Sequence, residues 1–232
     1  PLGEAKRLQA NLRFQESLTP LRELIDERTE DLEVYLLYGA ALIRSGSPSL
    51  ATWPLRKAME DPDLTVRATI LMATAAVRSG NVQASEEYAN LALEIEPDNL
   101  EALSIRSMAR VQSRRDYEGA LADADRILEL DPENPAPLIP RATSLLALDR
   151  VEEAGDALKA LEDKHREDIL GAHKAARFCV ARSTFSMEQG ELEESEKILA
   201  TCLEDFPASR ITVGEALKRY DAAGESERAV EA

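Results

Sequence analysis

Aromatic residues are scarce in this sequence: they make up 4% of its 232 residues and include a single tryptophan, Trp53. A core of that composition has to come from Ala, Leu, Ile and Val, which suits close helix packing better than a sheet. Basic residues are also outnumbered, 28 Lys and Arg against 44 Asp and Glu, giving a formal charge of −16. Nucleic acid is therefore not an expected partner, because a phosphate backbone is held by clustered cations that displace its counterions. An anionic membrane surface would repel the chain as well. No stretch approaches the ~18 consecutive apolar residues of a spanning helix, so membrane insertion is not expected. Nor does the start show a basic segment followed by an apolar one. Pro1-Leu2-Gly3 reads as the scar of a cleaved tag. The sequence is then an excised piece, and a cytoplasmic location is only the default.

Two cysteines, Cys179 and Cys202, have neither the number nor the spacing of a zinc site or a disulfide framework. Two histidines, His165 and His173, stand eight residues apart. On one helix they would lie about 12 Å apart along the axis, too far to share a metal. Gly-rich phosphate loops, a Gly-x-Ser-x-Gly elbow and a Cys–His dyad are missing too. Glu152-Glu153 and Glu193-Glu194 begin helices, where negative charge complements the dipole, so they read as helix stabilisation. No cofactor, metal site or enzymatic activity is expected.

What the chain does contain is an internal repeat. Glu96-Pro97-Asp98-Asn99 and Asp131-Pro132-Glu133-Asn134 lie 35 residues apart, and Asp61-Pro62-Asp63 stands 35 before the first. With Pro97 as position 32 of a unit, Val66 is 1, Ala73 is 8, Gly80 is 15, Ser85 is 20 and Ala92 is 27. The same count places Leu32 at 1, Gly39 at 8, Gly46 at 15 and Leu55 at 24. Further along, Ala142 falls at 8 and Ala154 at 20. Pro132 and Pro207 are 75 residues apart, seven more than two 34-residue units, so an insertion is expected at 169–175. Beyond it the register resumes with Ser183 at 8, Gly190 at 15, Ser195 at 20 and Cys202 at 27.

Apolar residues at positions 4, 7, 8 and 11 make one helical stripe and those at 20, 24 and 27 a second, so each unit is a helix pair. Small residues at 8 and 20 allow close approach. Gly at 15 permits the left-handed backbone that ends the first helix, and Pro at 32 stops the second. No unit buries both stripes alone, so neighbours must stack. The expected fold is all-α, a solenoid of antiparallel helix pairs with about five full repeats and partial repeats at both ends. Expected boundaries are a partial repeat at 4–31, full repeats at 32–65, 66–99, 100–134, 135–168 and 176–209, and a partial repeat at 210–232. Turns are expected near Gly46, Gly80, Arg115, Asp149, Gly190 and Gly224. The helix ending near Gln189 should be the longest, starting near residue 166 unless Gly171 breaks it.

The stretches Gly80–Asn99 and Asp116–Asn134 resemble the tetratricopeptide repeat family, and the resemblance runs through nearly the whole chain. The unit from 100 to 134 departs from it, with one inserted residue, Arg114-Arg115 in place of the turn Gly, and Arg110 at a usually apolar position. The resemblance implies a protein-binding scaffold or adaptor whose first helices line a groove through positions 2, 5, 9, 12 and 13. Here those positions select Leu36, Ala40, Ile43, Arg44, Ile70, Thr74, Val77, Arg78, Met108, Ile139, Thr143, Leu146, Arg177, Val180 and Thr184. Such a groove would take an apolar, acidic peptide or helix. The alternative is that a short stack curls until these side chains contact one another or a terminal helix. The Lys and Asn pair with which some family members clamp a C-terminal carboxylate is missing.

Over 32–45, 66–79, 100–113, 135–148 and 176–189 there are eight arginines (44, 67, 78, 106, 110, 141, 177 and 182) against Glu33, Glu101 and Glu188. Either they attract an acidic partner or they pair with neighbouring acidic helices. Cys179 and Cys202, at positions 4 and 27 of one unit, would sit on facing helices. They are either two small buried residues or a bridge, which requires α-carbons within about 7 Å and an oxidising compartment. Two rival functions stand beside the peptide scaffold: a homo-oligomerising module attached to a catalytic domain outside this sequence, and RNA binding, which the charge disfavours.

Overall fold

The computed structural model describes residues 1–164 and 172–224, with side chains from 1–163 and 175–224. The expected insertion and both histidine side chains fall outside that set. Helix accounts for 80% of the described residues, and no strand occurs among them. The chain divides into two compact units at Asp116/Tyr117.

Unit 1 holds α1 (Leu2–Ala10), α2 (Phe14–Asp26), α3 (Leu32–Arg44), a 3-10 turn (Pro48–Ala51), α4 (Thr52–Ala58), α5 (Pro62–Arg78), α6 (Val82–Ile95) and α7 (Leu100–Ser113). Each helix packs on the next, while α1, α3, α5 and α7 also touch in succession. Starts are set by side-chain caps: Asp31, Asp61, Asn81 and Asn99 each accept a hydrogen bond from a first-turn N–H, the arrangement that relieves unpaired helix donors. Gly39 shows how close the packing is, since a β-carbon there would stand 2.5 Å from Leu55 Cδ2. The core gathers Leu21, Val34, Leu36, Ile43, Leu55 and Met72, and Leu2 packs against it as part of α1.

Unit 2 holds α8 (Tyr117–Leu130), α9 (Leu138–Ala147), α10 (Val151–Lys164), α11 (Ala172–Glu188), α12 (Leu192–Asp205) and α13 (Arg210–Ala223). In the α11–α12 pair the small residues at positions 8 and 20 are serines. Ser183 Oγ donates to the Ser195 carbonyl at 2.7 Å, and Ser195 Oγ returns the bond to the Ser183 carbonyl at 2.6 Å.

All six expected turns adopt the left-handed backbone: Gly46, Gly80, Gly190 and Gly224, with Asp149 and Arg114 at the two sites without glycine. Arg114, one residue before the expected Arg115, carries the strained φ of 55°. The longest-helix expectation turns on residues 165–171, which lie outside the described set; α11 and α5 each have 17 described residues. Asp61 caps α5 and Pro62 occupies its first turn, where proline needs no N–H partner. The helix therefore begins four residues before Val66, the first position of its repeat.

Reading the cysteines as mere small apolar residues is also corrected. Cys179 and Cys202 form a disulfide between α11 and α12, with α-carbons 5.9 Å apart.

Candidate peptide-binding surface

The first helices of unit 1 present a common face whose floor is closed. Leu36 and Ile43 are each 1% exposed and Ile70 is 5% exposed, because the contacts of α3 with α1 and α5 draw these side chains into the core. Above them Ala40, Thr74 and Met108 are half-buried, and Val77 is open at 39%. Thr74 turns its hydroxyl back to the Ile70 carbonyl at 3.0 Å, leaving mainly its methyl group to the face. In unit 2 Ile139 is likewise buried, while Thr143, Leu146, Arg177, Val180 and Thr184 are half-buried. Burial lowers the pKa of Arg177. Thr143 and Thr184 also donate back to their own helices, to Ile139 O and Val180 O. The surface is thus shallower and more polar at its edges than a count of apolar positions suggests.

The arginines separate into two groups. Arg106 donates to Asn90 at 3.0 Å, Arg110 lies 3.1 Å from Glu86, Arg141 lies 2.7 Å from Asp125, and Arg182 lies 3.6 Å from Glu162. In every case the partner sits on the preceding second helix, so these cations tie one helix pair to the next. Arg44 stacks over the Phe14 ring, 5.7 Å from its centroid. Arg67 and Arg78 are exposed and have no partner among the described residues. They stand at opposite ends of the exposed face of α5, about 16 Å apart along the helix axis, with Thr74 and Val77 between them.

Solved structures agree with this architecture. A tetratricopeptide repeat protein from Parabacteroides merdae ATCC 43184 superposes with a TM-score of 0.63, covering 88% of this chain and 77% of its own, at 19% identity. The chain has the tetratricopeptide-repeat fold. YrrB, a TPR protein with an unusual peptide-binding site, gives 0.61 over 85% of this chain and 97% of its own, at 15% identity. MamA from Desulfovibrio magneticus RS-1 gives 0.62 over 71% and 93%, again at 15% identity. No family model and no curated protein matches the sequence.

Two features of this repeat protein escape the sequence reading. Arg219 on α13 reaches Ser183 Oγ at 2.9 Å, Ser195 Oγ at 2.8 Å, Thr184 Oγ1 at 3.3 Å and Glu215 at 2.9 Å. This network joins α13 to the α11–α12 pair and occupies Thr184, which is thereby less available to a ligand. Serine at both close-approach positions of one repeat is the signal that could have announced it. The second feature is Trp53, which is half exposed on α4. No group of three His, Cys, Asp or Glu side chains is gathered as a metal site among the described residues, and none of their helices is long and apolar enough to cross a membrane.

Proposed function

We propose that unit 1 is a peptide-binding scaffold whose α3–α5–α7 face holds an acidic segment with an apolar anchor. The observation that carries this reading is the pair Arg67 and Arg78. Arg106, Arg110, Arg141 and Arg182 are tied to the preceding second helix, but these two flank a half-open strip of Thr74, Val77 and Met108 and have no partner among the described residues. A segment bearing carboxylates about 16 Å apart would meet both cations. Its apolar anchor would cover Val77 and Met108, and the chain's general acidity would reject segments lacking that register. The likeness to YrrB, whose site takes peptides, supports the class of ligand. Likeness to repeat scaffolds in general supports a binding role over a catalytic one.

A random peptide display selection against the whole chain tests the reading. Enriched sequences should carry Asp or Glu on both sides of an aliphatic or aromatic residue, and Arg67→Glu/Arg78→Glu protein should fail to retain them. Enrichment of basic sequences, or equal retention by the double variant, overturns it.

A further inference from the structure

The ten aromatic rings of the chain are not spread evenly. Tyr35 and Tyr38 of α3 meet Trp53 of α4 at ring-centroid separations of 6.0 and 6.1 Å. The two tyrosines are nearly buried, but Trp53 is 51% exposed and Leu50 beside it 59% exposed. The cause is local: Pro48 opens a 3-10 turn and Pro54 follows within α4, so the second helix of this repeat starts late and leaves Leu50 and Trp53 outside the core. Cations border the patch. Arg22 donates to the Tyr38 hydroxyl at 3.2 Å, and Arg56 is exposed with no partner among the described residues. Trp, Tyr and Arg are the residue types that dominate binding energy at interfaces, and here they adjoin.

A complementary stripe lies on the same unit. Leu91 and Ile95 of α6 are exposed at 45% and 56%; Glu87 and Glu94 share the face of Leu91 at spacings of four and three, and Ile95 follows Leu91 at a spacing of four. Glu94 has no partner among the described residues, and Glu87 is held only by the neutral Gln83. One stripe is aromatic and cationic, the other aliphatic and anionic. Both extend about 10–12 Å along a helix.

We infer that unit 1 recognises a second copy of this chain, the Leu50–Trp53–Arg56 stripe of one copy lying against the Glu87–Leu91–Glu94–Ile95 stripe of the other. One such contact is smaller than a stable interface requires. A two-fold arrangement forms it twice, since each copy offers both stripes. The association is concentration-dependent and weakens with salt, because charge pairs at its rim contribute to it.

Trp53, the only tryptophan, is its own reporter. Sedimentation velocity and tryptophan emission are measured on the full chain from low to high micromolar concentration. The expected result is a rise in mass accompanied by a blue shift of the emission and protection from iodide quenching. Arg56→Glu and Glu94→Arg each abolish both signals, and an equimolar mixture of the two variants restores them through the reversed pair. These substitutions change exposed side chains only, so folding is not at stake, whereas Trp53→Ser would uncover Tyr35 and Tyr38. A monomer at every concentration overturns the inference, as does association that leaves Trp53 emission unmoved or survives Arg56→Glu. Trp53 protection produced only by a foreign acidic protein assigns the stripe to another occupant and equally overturns it.

Discussion

On α5 of unit 1, Arg67 and Arg78 project without a carboxylate partner, whereas in unit 2 Arg219 is consumed by two serine hydroxyls, a threonine and Glu215. The contrast extends to covalent structure, since α11 and α12 are joined by Cys179–Cys202 while unit 1 relies on apolar packing around Leu36, Ile43 and Leu55. The same repeat thus serves two ends. One unit keeps cations and a rim of apolar groups available, and the other turns its polar and sulfur groups inward to hold helices together. On the proposed function, what a repeat binds follows from which of its polar groups remain uncommitted, more than from its consensus positions.

The largest test of this division is within unit 1 itself. Ile70→Ser should destabilise the chain by about 3–5 kcal/mol through a cavity and a buried hydroxyl, while Val77→Ser should cost under about 1 kcal/mol. Thermal and urea unfolding of the two single variants would show it, and equal losses would put Val77 in the core. In unit 2, reduction of the disulfide or Cys202→Ser should remove about 3 kcal/mol. Hydrogen exchange should then quicken in α11 and α12 but not in α3 to α6. A uniform change across both units would erase the distinction drawn here. A smaller effect is expected where the two units divide: Arg114→Gly should gain about 1 kcal/mol, because glycine relieves the left-handed backbone. A loss of stability there would mean that the Arg114 side chain contributes more than its backbone costs.

The helix pairs and their turns were legible because position 15 needs a left-handed residue in every repeat, even where Arg114 or Asp149 must supply it. The floor of the groove was less legible. Positions 5 and 12 are apolar in both Ile70 and Val77, yet contacts with neighbouring helices bury the first and leave the second open. Pairing of the arginines had a signal that could have been read: Asn90 to Arg106 and Asp125 to Arg141 repeat the same spacing of 16 residues, the distance from a second helix to the next first one. The disulfide was placed by register, since positions 4 and 27 face each other, but register alone does not decide between a bridge and two thiols. Trp53 was missed because its exposure follows from Pro48 and Pro54, which lie off the repeat pattern.

The most direct measurement of the central claim is calorimetric titration of one display-selected acidic peptide into four proteins: the parent chain, Arg67→Glu, Arg78→Glu and Arg182→Glu. Arg182 is already within salt-bridge distance of Glu162, so it serves as the control cation of a first helix. The account predicts a loss of about tenfold or more in affinity for each of the first two variants and little change for the third. Equal losses for all three would reduce the effect to net charge, and an unchanged affinity for Arg78→Glu would contradict the claim that α5 holds the ligand.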